Sequence, residues 1–266
     1  MVDDDVQESE MIELHIRDDV AHVTLTRPDK LNALDEQAVR DLGDAYGDAE
    51  SAGVRALVLR GEGRAFCAGR DISGVDPRDD DVSGYLDGLV TPLLQRMAAF
   101  PAPTFAAAHG ACLGVGLGLL IATDVVYVAE NAKIGSPFAA LGATLDSGGH
   151  ALFYERLGAH KTLDLIYTAR LMTGAEAVQS GLFSQAFPAD EVGEATAAAA
   201  TAASAGATAA FLASKQLVAQ LRDERLGLWR SMDAENAAQA ALCDTEDYRE
   251  GFAAFQAKRA PQFHGR

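Results

Sequence analysis

Positive charge is what this 266-residue chain has least of: 22 Lys and Arg stand against 39 Asp and Glu, a net charge of −17. A surface so negative repels phosphate backbones and anionic membrane surfaces, and no local Lys/Arg cluster offsets it, so neither nucleic acid nor membrane is expected as a partner. Cysteine is scarce too. Cys67, Cys112 and Cys243 have no paired spacing, which argues against a disulfide framework or a cysteine-rich metal site and leaves buried thiols. Long apolar runs are missing: the longest, residues 111–122, falls short of the roughly 20 residues a membrane span needs, and its glycines suit a buried helix. The chain opens MVDDDVQESE, acidic where an export signal is basic and then apolar, and a cytoplasmic location is expected.

Other absences narrow the chemistry. His15, His22, His109, His150, His160 and His264 lack zinc-ligand spacing and no HExxH occurs, so no metal site is expected. No Gly-x-Ser-x-Gly elbow marks a hydrolase triad. Gly114, Gly116 and Gly118 imitate a dinucleotide fingerprint, but Leu119 stands where its third glycine is required and no acid is clearly placed after the following strand. No glycine leads into the Lys-Ser/Thr of a P-loop.

The hydrophobic content of 48% and the length fit one large domain or two smaller ones. Apolar and polar residues alternate over 12–16 and 20–25 around Asp18 and Asp19, which predicts a β-hairpin. Asp35 caps a predicted helix with apolar positions at Val39, Leu42 and Tyr46, ending at Gly53. Residues 54–60 read as a strand, 86–99 as a helix, 104–108 as a strand, 114–122 as a glycine-rich helix and 125–129 as a strand. Strand, loop and helix thus recur at roughly forty-residue intervals, and such units must stack to bury their apolar faces. Residues 76–81 read as an exposed loop that nothing apolar anchors. Helices follow near Gly148 and over 160–169, and Thr173-Gly-Ala-Glu176 forms a capping box. From residue 190 onward the pattern is helical, alanine-rich over 195–210. The expected organisation is an α/β body, residues 1–190, and an all-helical region, 191–266. That region carries Phe211, Leu212, Leu217, Leu221, Leu226, Leu228 and Trp229, which need a surface to cover, either the chain's own body or a neighbouring subunit.

Three segments hold residue types that packing alone does not demand. Gly63-Arg-Ala-Phe-Cys-Ala-Gly-Arg-Asp-Ile72 reads either as a loop presenting backbone N–H groups or as a plain exit from a strand. His109-Gly-Ala-Cys-Leu-Gly-Val-Gly116 follows a buried strand and enters a helix, an arrangement that offers N–H groups to an oxyanion. In Leu141-Gly-Ala-Thr-Leu-Asp-Ser-Gly-Gly149, Asp146 lies among apolar residues. Desolvation there raises a carboxyl pKa toward the range of a general base, although the same aspartate could simply cap the helix beginning near Gly148.

In this order, and together with Arg27-Pro-Asp-Lys-Leu-Asn-Ala-Leu34 and Leu171-Met-Thr-Gly-Ala-Glu-Ala-Val-Gln-Ser-Gly-Leu182, these segments resemble the crotonase family, the enoyl-CoA hydratase/isomerase superfamily, over nearly the whole chain. The resemblance implies a crotonase-like spiral of repeated ββα units with a C-terminal helical oligomerisation region, assembled as a trimer or a dimer of trimers. It implies an acyl-CoA thioester as ligand, no further cofactor, and an oxyanion hole made by the N–H groups of Ala68 and Val115. It places the ligand along Lys30, Leu31, Ala33, Ala68, Gly69, Arg70, Asp71, Ile72 and Gly114, with Leu117, Phe138 and Leu141 around the acyl group. The family's hydratases carry two glutamates at the positions of Gly118 and Phe138, so neither acid is present. Asp146 falls where some isomerases and a dehalogenase of the family keep a catalytic aspartate. An isomerase with Asp146 as its base is the resulting expectation, with an atypical hydratase or a silent acyl-CoA binder as alternatives.

Overall fold

The computed structural model describes residues 11–73, 75, 79–138, 143–224, 236–237, 241–242 and 245–266. β1 (Ile12–Arg17) and β2 (Val20–Leu25) form the expected hairpin with Ile12 opposite Leu25. Its turn is closed by Asp18 and Asp19, both left-handed, a conformation that short polar side chains tolerate. α1 (Glu36–Ser51) follows, and the Asp35 carboxylate accepts the Ala38 N–H at 2.9 Å as its N-cap. Ala38, Val39, Leu42, Ala45, Tyr46 and Ala49 form its buried stripe, the helical spacing that turns one face to a core.

β3 (Ala56–Gly61), β4 (Thr104–Ala108) and β6 (Val125–Ala129) extend the hairpin into a six-stranded sheet ordered β1-β2-β3-β4-β6-β9, parallel from β2 onward. β9 is Gln185–Phe187. β5 (Ala111–Leu113), β7 (Lys133–Gly135) and β8 (Met172–Thr173) make a second sheet ordered β5-β7-β8. The chain passes from β4 directly into β5 and from β6 into β7, so successive turns lie on one another as the α/β spiral expected from sequence. The four short strands have only two or three residues each, too few for a period-two pattern to show.

The predicted helix over 86–99 begins earlier than its periodicity suggests. α2 (Val82–Tyr85) runs through a π-helical turn, Leu86–Val90, into α3 (Thr91–Ala98). Pro92 explains the wider turn, because it lacks the N–H of a regular helix and its ring would press on the carbonyl four residues back. Of the segment over 76–81, residues 76–78 lie outside the described residues; Asp79 and Asp81 are exposed, as expected of a loop. Asp81 caps α2 through the Gly84 N–H at 2.8 Å, and Asp80 holds the Arg70 guanidinium through bonds of 2.8 and 2.7 Å. Charge thus anchors Asp80 and Asp81.

α4 (Val115–Ile121) is buried and short. α5 (Gly149–Thr168) bends at Gly158, the break expected between two helices. The capping box of Thr173 and Glu176 starts α6 (Gly174–Gln179), with both reciprocal bonds made. The helical region includes α7 (Val192–Ser204), α8 (Thr208–Glu224) and α9 (Glu246–Gln256). α7 covers the chain's own sheet: Ala200, flanked by Ala199 and Ala203, packs with Val20, Ala56, Val58 and Phe105, and alanines let the helix lie close. α8 is tied to the body by Lys215, which donates to the Phe100 carbonyl and the Asp124 carboxylate, both at 3.0 Å. Its Phe211, Val218 and Leu221 remain exposed. Leu226, Leu228 and Trp229 lie outside the described residues, as does Cys243. Among the described residues no single helix is long and apolar enough to cross a membrane.

Candidate active site

Three loops are stitched edge to edge at one end of the spiral. The 3-10 turn Pro28–Lys30 ends at Leu31 and Asn32, both left-handed. Buried Asn32 holds them there: its amide donates to the carbonyls of Glu62 and Ala65 at 2.9 and 2.7 Å and accepts the Arg27 N–H at 2.9 Å. Against this loop runs the segment after β3. Leu34 N–H donates to Gly69 O and Asp71 N–H to Leu34 O, each at 2.8 Å. Cys67 in turn pairs with β5, through Cys67 N–H to Ala111 O and Leu113 N–H to Cys67 O, both 3.0 Å. The Cys67 thiol is fully buried and accepts from Gly69 N–H at 3.4 Å, and burial pushes its pKa up to about 12. Cys112 is raised by the same cause. Both are inert packing thiols, as expected.

This stitching decides which N–H groups remain available. The N–H of Ala68 donates to Leu31 O at 3.0 Å, so it is not open to a ligand, which corrects the expectation placed on that residue. Among the described residues the N–H of Arg70 has no partner, and neither does that of Val115, the first residue of α4. Their loops touch: a Cβ on Gly69 would lie 3.0 Å from Leu113 O and 3.7 Å from Gly114 Cα. Gly114 itself is left-handed and sits under the Phe138 ring, 3.1 Å from where its Cβ would be, so a side chain there would be both strained and crowded. With seven residues, α4 offers individual donors more than a strong dipole.

Arg70 also carries a fixed side chain. Its guanidinium, bidentate to Asp80, lies 4.1 Å from the centroid of the Tyr85 ring, a cation–π geometry. Buried Tyr85 donates to Leu34 O at 3.3 Å. Arg27 bridges Asp35 and Asp71 at 3.2 Å each, and the Ser73 hydroxyl and then N–H hold the Asp71 carboxyl below its ordinary pKa. Lys30 is exposed at the rim, 3.4 Å from Ser73 Oγ. Ala33 lies in the stitched loop, Ile72 is exposed and Leu117 is packed in the main core. Leu141 falls outside the described residues. The structure thus brings Lys30, Leu31, Ala33, Gly69, Arg70, Asp71, Gly114 and Phe138 to one region.

Asp146 lies close enough to this region to feel the charge of Arg70. The side chain does not cap α5: the cap is Gly148, and only the Asp146 main-chain carbonyl accepts, from Gly149 N–H at 2.9 Å. Its Oδ1 is buried with no hydrogen-bond partner among the described residues. Burial raises the Asp146 pKa above 3.8, with the adjacent Ser147 and the charge of Arg70 acting in the opposite direction. Ser147 rests on α4, where a Cβ at Gly118 would lie only 2.5 Å from its Cβ. Among the described residues no cluster of His, Cys, Asp and Glu could hold a metal ion.

Comparison with known proteins agrees with this architecture. The family model for enoyl-CoA hydratase/isomerase matches residues 15–266. The chain belongs to the enoyl-CoA hydratase/isomerase family. Within that family it is 37% identical to a probable enoyl-CoA hydratase of Mycobacterium bovis, over 92% of this chain and 94% of that one. It is 29% identical to the 1,2-epoxyphenylacetyl-CoA isomerase of Escherichia coli, over 97% and 99% of the two chains. The crystal structure of an enoyl-CoA hydratase from Bacillus anthracis superposes with a TM-score of 0.88 at 25% identity, over 97% of this chain and all of that one. Hydratases and an isomerase are both among its relatives, so the reaction has to be read from the residues of the site.

Proposed function

We propose that the protein is an acyl-CoA isomerase of this family, with Asp146 as its single proton-transferring base. The observation that carries the reading is the orphaned Asp146 Oδ1. A buried carboxylate oxygen with neither a cap to make nor a cation to pair costs stability, and a base facing a substrate carbon has that environment. Gly118 and Phe138, where the family's hydratases carry glutamates, supply no acid, and the space beside Gly118 is filled by Ser147.

In this reading the thioester carbonyl oxygen receives the N–H groups of Arg70 and Val115. Asp146 takes a proton from the acyl chain, the electron pair moves onto that oxygen, and the two donors stabilise the enolate. Each such donor is worth about 2.7–4 kcal/mol of barrier. Return of a proton from Asp146 to a different carbon shifts the double bond, or opens a ring epoxide, without gain or loss of water. Phe138 helps keep the pocket apolar, which excludes water and keeps the carboxylate basic. The expected cellular ligand is the thioester alone, with no metal or redox cofactor taking part.

The test is to incubate the protein in heavy water with a 3-enoyl-CoA and, separately, a 2-enoyl-CoA, following conjugation by absorbance and products by mass. Double-bond migration with deuterium exchange is expected. Asp146→Asn should lower both by about 10²–10⁴-fold while calorimetry still detects acyl-CoA binding. Retained turnover in that variant removes Asp146 from the role, and a product heavier by one water from the 2-enoyl ester restores a hydratase.

A further inference from the structure

The main-chain N–H of Arg70 stands next to a hinge. It belongs to the peptide that joins Arg70 to Gly69, a residue at φ +102° with no Cβ to limit its turning. Backbone bonds steady only one edge of this segment. Leu34 pairs with Arg70 as an isolated parallel bridge, through Leu34 N–H to Gly69 O and Asp71 N–H to Leu34 O, and in such a bridge the N–H of Arg70 itself points from the opposite edge. Downstream the chain soon reaches the surface, where Ile72 is exposed. The side chain of Arg70 is held far more firmly. One short element grips it: Asp80, immediately before the α2 cap Asp81, takes both guanidinium nitrogens at 2.8 and 2.7 Å, and Tyr85, the last residue of α2, presents its ring 4.1 Å away. Tyr85 in turn donates to Leu34 O, the carbonyl that also accepts Asp71 N–H. The Arg70 and Asp80 side chains are only 21% and 15% exposed, so water screens this pair less than an ordinary surface ion pair, and its bidentate form fixes direction as well as distance.

We propose that Asp80 is a positioning residue of this site: by clasping the Arg70 guanidinium against the Tyr85 ring, it holds the Gly69–Arg70 peptide in the orientation that aims the Arg70 N–H at the thioester oxygen. The inference rests on the reading of that N–H as an oxyanion donor, and not on the reading of Asp146 as the base. Asp80 touches no substrate and acts through Arg70. Without the clasp the long arginine side chain regains its rotamers, and the peptide behind it is free to turn at Gly69. The clasp also keeps the guanidinium paired, whereas an unpaired one would act in full on Asp146, whose carboxyl already feels that charge. A donor stabilises developing charge best when it needs no reorientation at the moment of reaction. Its loosening therefore falls on the transition state, and affinity for the ester, made elsewhere along its length, changes little.

Infrared spectra of the full chain saturated with butyryl-CoA, labelled with carbon-13 at the thioester carbonyl, test this together with steady-state kinetics on a 3-enoyl-CoA. In wild type the labelled band should fall below that of the free ester, because two N–H donors polarise the carbonyl. Asp80→Asn should return about half of that shift, one donor of the two being loosened, and should lower kcat about tenfold with KM within about threefold, a smaller loss than the roughly 10²–10³ of a donor removed outright. Asp80→Glu, which keeps the charge that clasps, should restore both readouts. Arg70→Gln retains the main-chain N–H without the charged clasp and carries the same expectation as Asp80→Asn should that variant fail to fold. The proposal is overturned by a band that keeps its wild-type place in these variants, by a rise in KM at unchanged kcat, or by a lowered melting temperature as the only change. A wild-type band that does not move on binding overturns it too, and withdraws the donor reading with it. Asp146→Asn should keep the band shift whatever becomes of turnover, so a failed base assignment leaves this one standing.

Discussion

One methyl group added at position 118 should reach Asp146, the proposed base, without touching it. In Gly118→Ala the new Cβ would lie 2.5 Å from Ser147 Cβ and 3.2 Å from both Ser147 O and Oγ. Carbon atoms pack comfortably at about 3.5–4.0 Å, so Ser147 must retreat by about 1 Å, and Asp146, the residue before it, moves too. Overpacking of this kind costs about 1–3 kcal/mol, while alanine regains about 1 kcal/mol over glycine inside a helix. The net loss of stability is therefore about 0–2 kcal/mol, a melting shift of a few degrees for a chain of this size. The effect on rate is larger, because a misplacement of about 1 Å can lower turnover by about 10²-fold. Steady-state isomerisation of a 3-enoyl-CoA, with a thermal melt of the same sample, checks both numbers. Adding Ser147→Gly removes the clashing Cβ and should recover most of the lost rate, a favourable coupling between neighbours. A wild-type rate in Gly118→Ala would refute the claim that α4 sets the position of Asp146. Water addition by Gly118→Glu would refute the claim that Ser147 blocks a hydratase-type acid there.

The remaining predictions concern stability. Because burial raises the Asp146 pKa above 3.8, the folded state binds more protons than the unfolded state between that pH and the raised value, and stability falls as pH rises through this window. Asp146→Asn, which carries no charge, should match wild type below the window and exceed it above, so the gap between their denaturant midpoints should widen as pH rises from 3.8; a gap constant from there to pH 8 contradicts the direction of the shift. Tyr46 is fully buried, packs edge-on against Phe100 with ring centroids 5.5 Å apart, and among the described residues its hydroxyl has no partner. Tyr46→Phe should therefore stabilise by about 1 kcal/mol or more, read from thermal or denaturant unfolding, and a loss of stability would show that the hydroxyl has a partner in solution.

Much of this protein was legible in the residue order because its signals are local. The hairpin followed from alternation around Asp18 and Asp19, α1 from its stripe and the Asp35 cap, and α6 from a capping box, each needing only residues close in sequence. The glycine-rich segments marked where loops meet, since close approach of backbones leaves no room for side chains. Stacked units and a helical ending were likewise readable from the recurring rhythm. The π turn before Pro92 and the brief strands β5, β7, β8 and β9 were not, since they answer to contacts across the spiral.

The site divides along the same line. Sequence located the loops at residues 27–34, 63–72 and 109–116 and singled out Asp146, but left that aspartate either a base or a cap. Tertiary structure removed the cap, by giving it to Gly148, and left Asp146 Oδ1 buried with no partner among the described residues, the observation on which the proposed base rests. It likewise withdrew Ala68 as a donor, because its N–H is taken by the carbonyl of Leu31 on a distant loop, and left Arg70 as the donor that the proposal uses. Residue order determines which groups are present and how each short segment folds; which of them stay unpartnered depends on what the rest of the chain brings alongside.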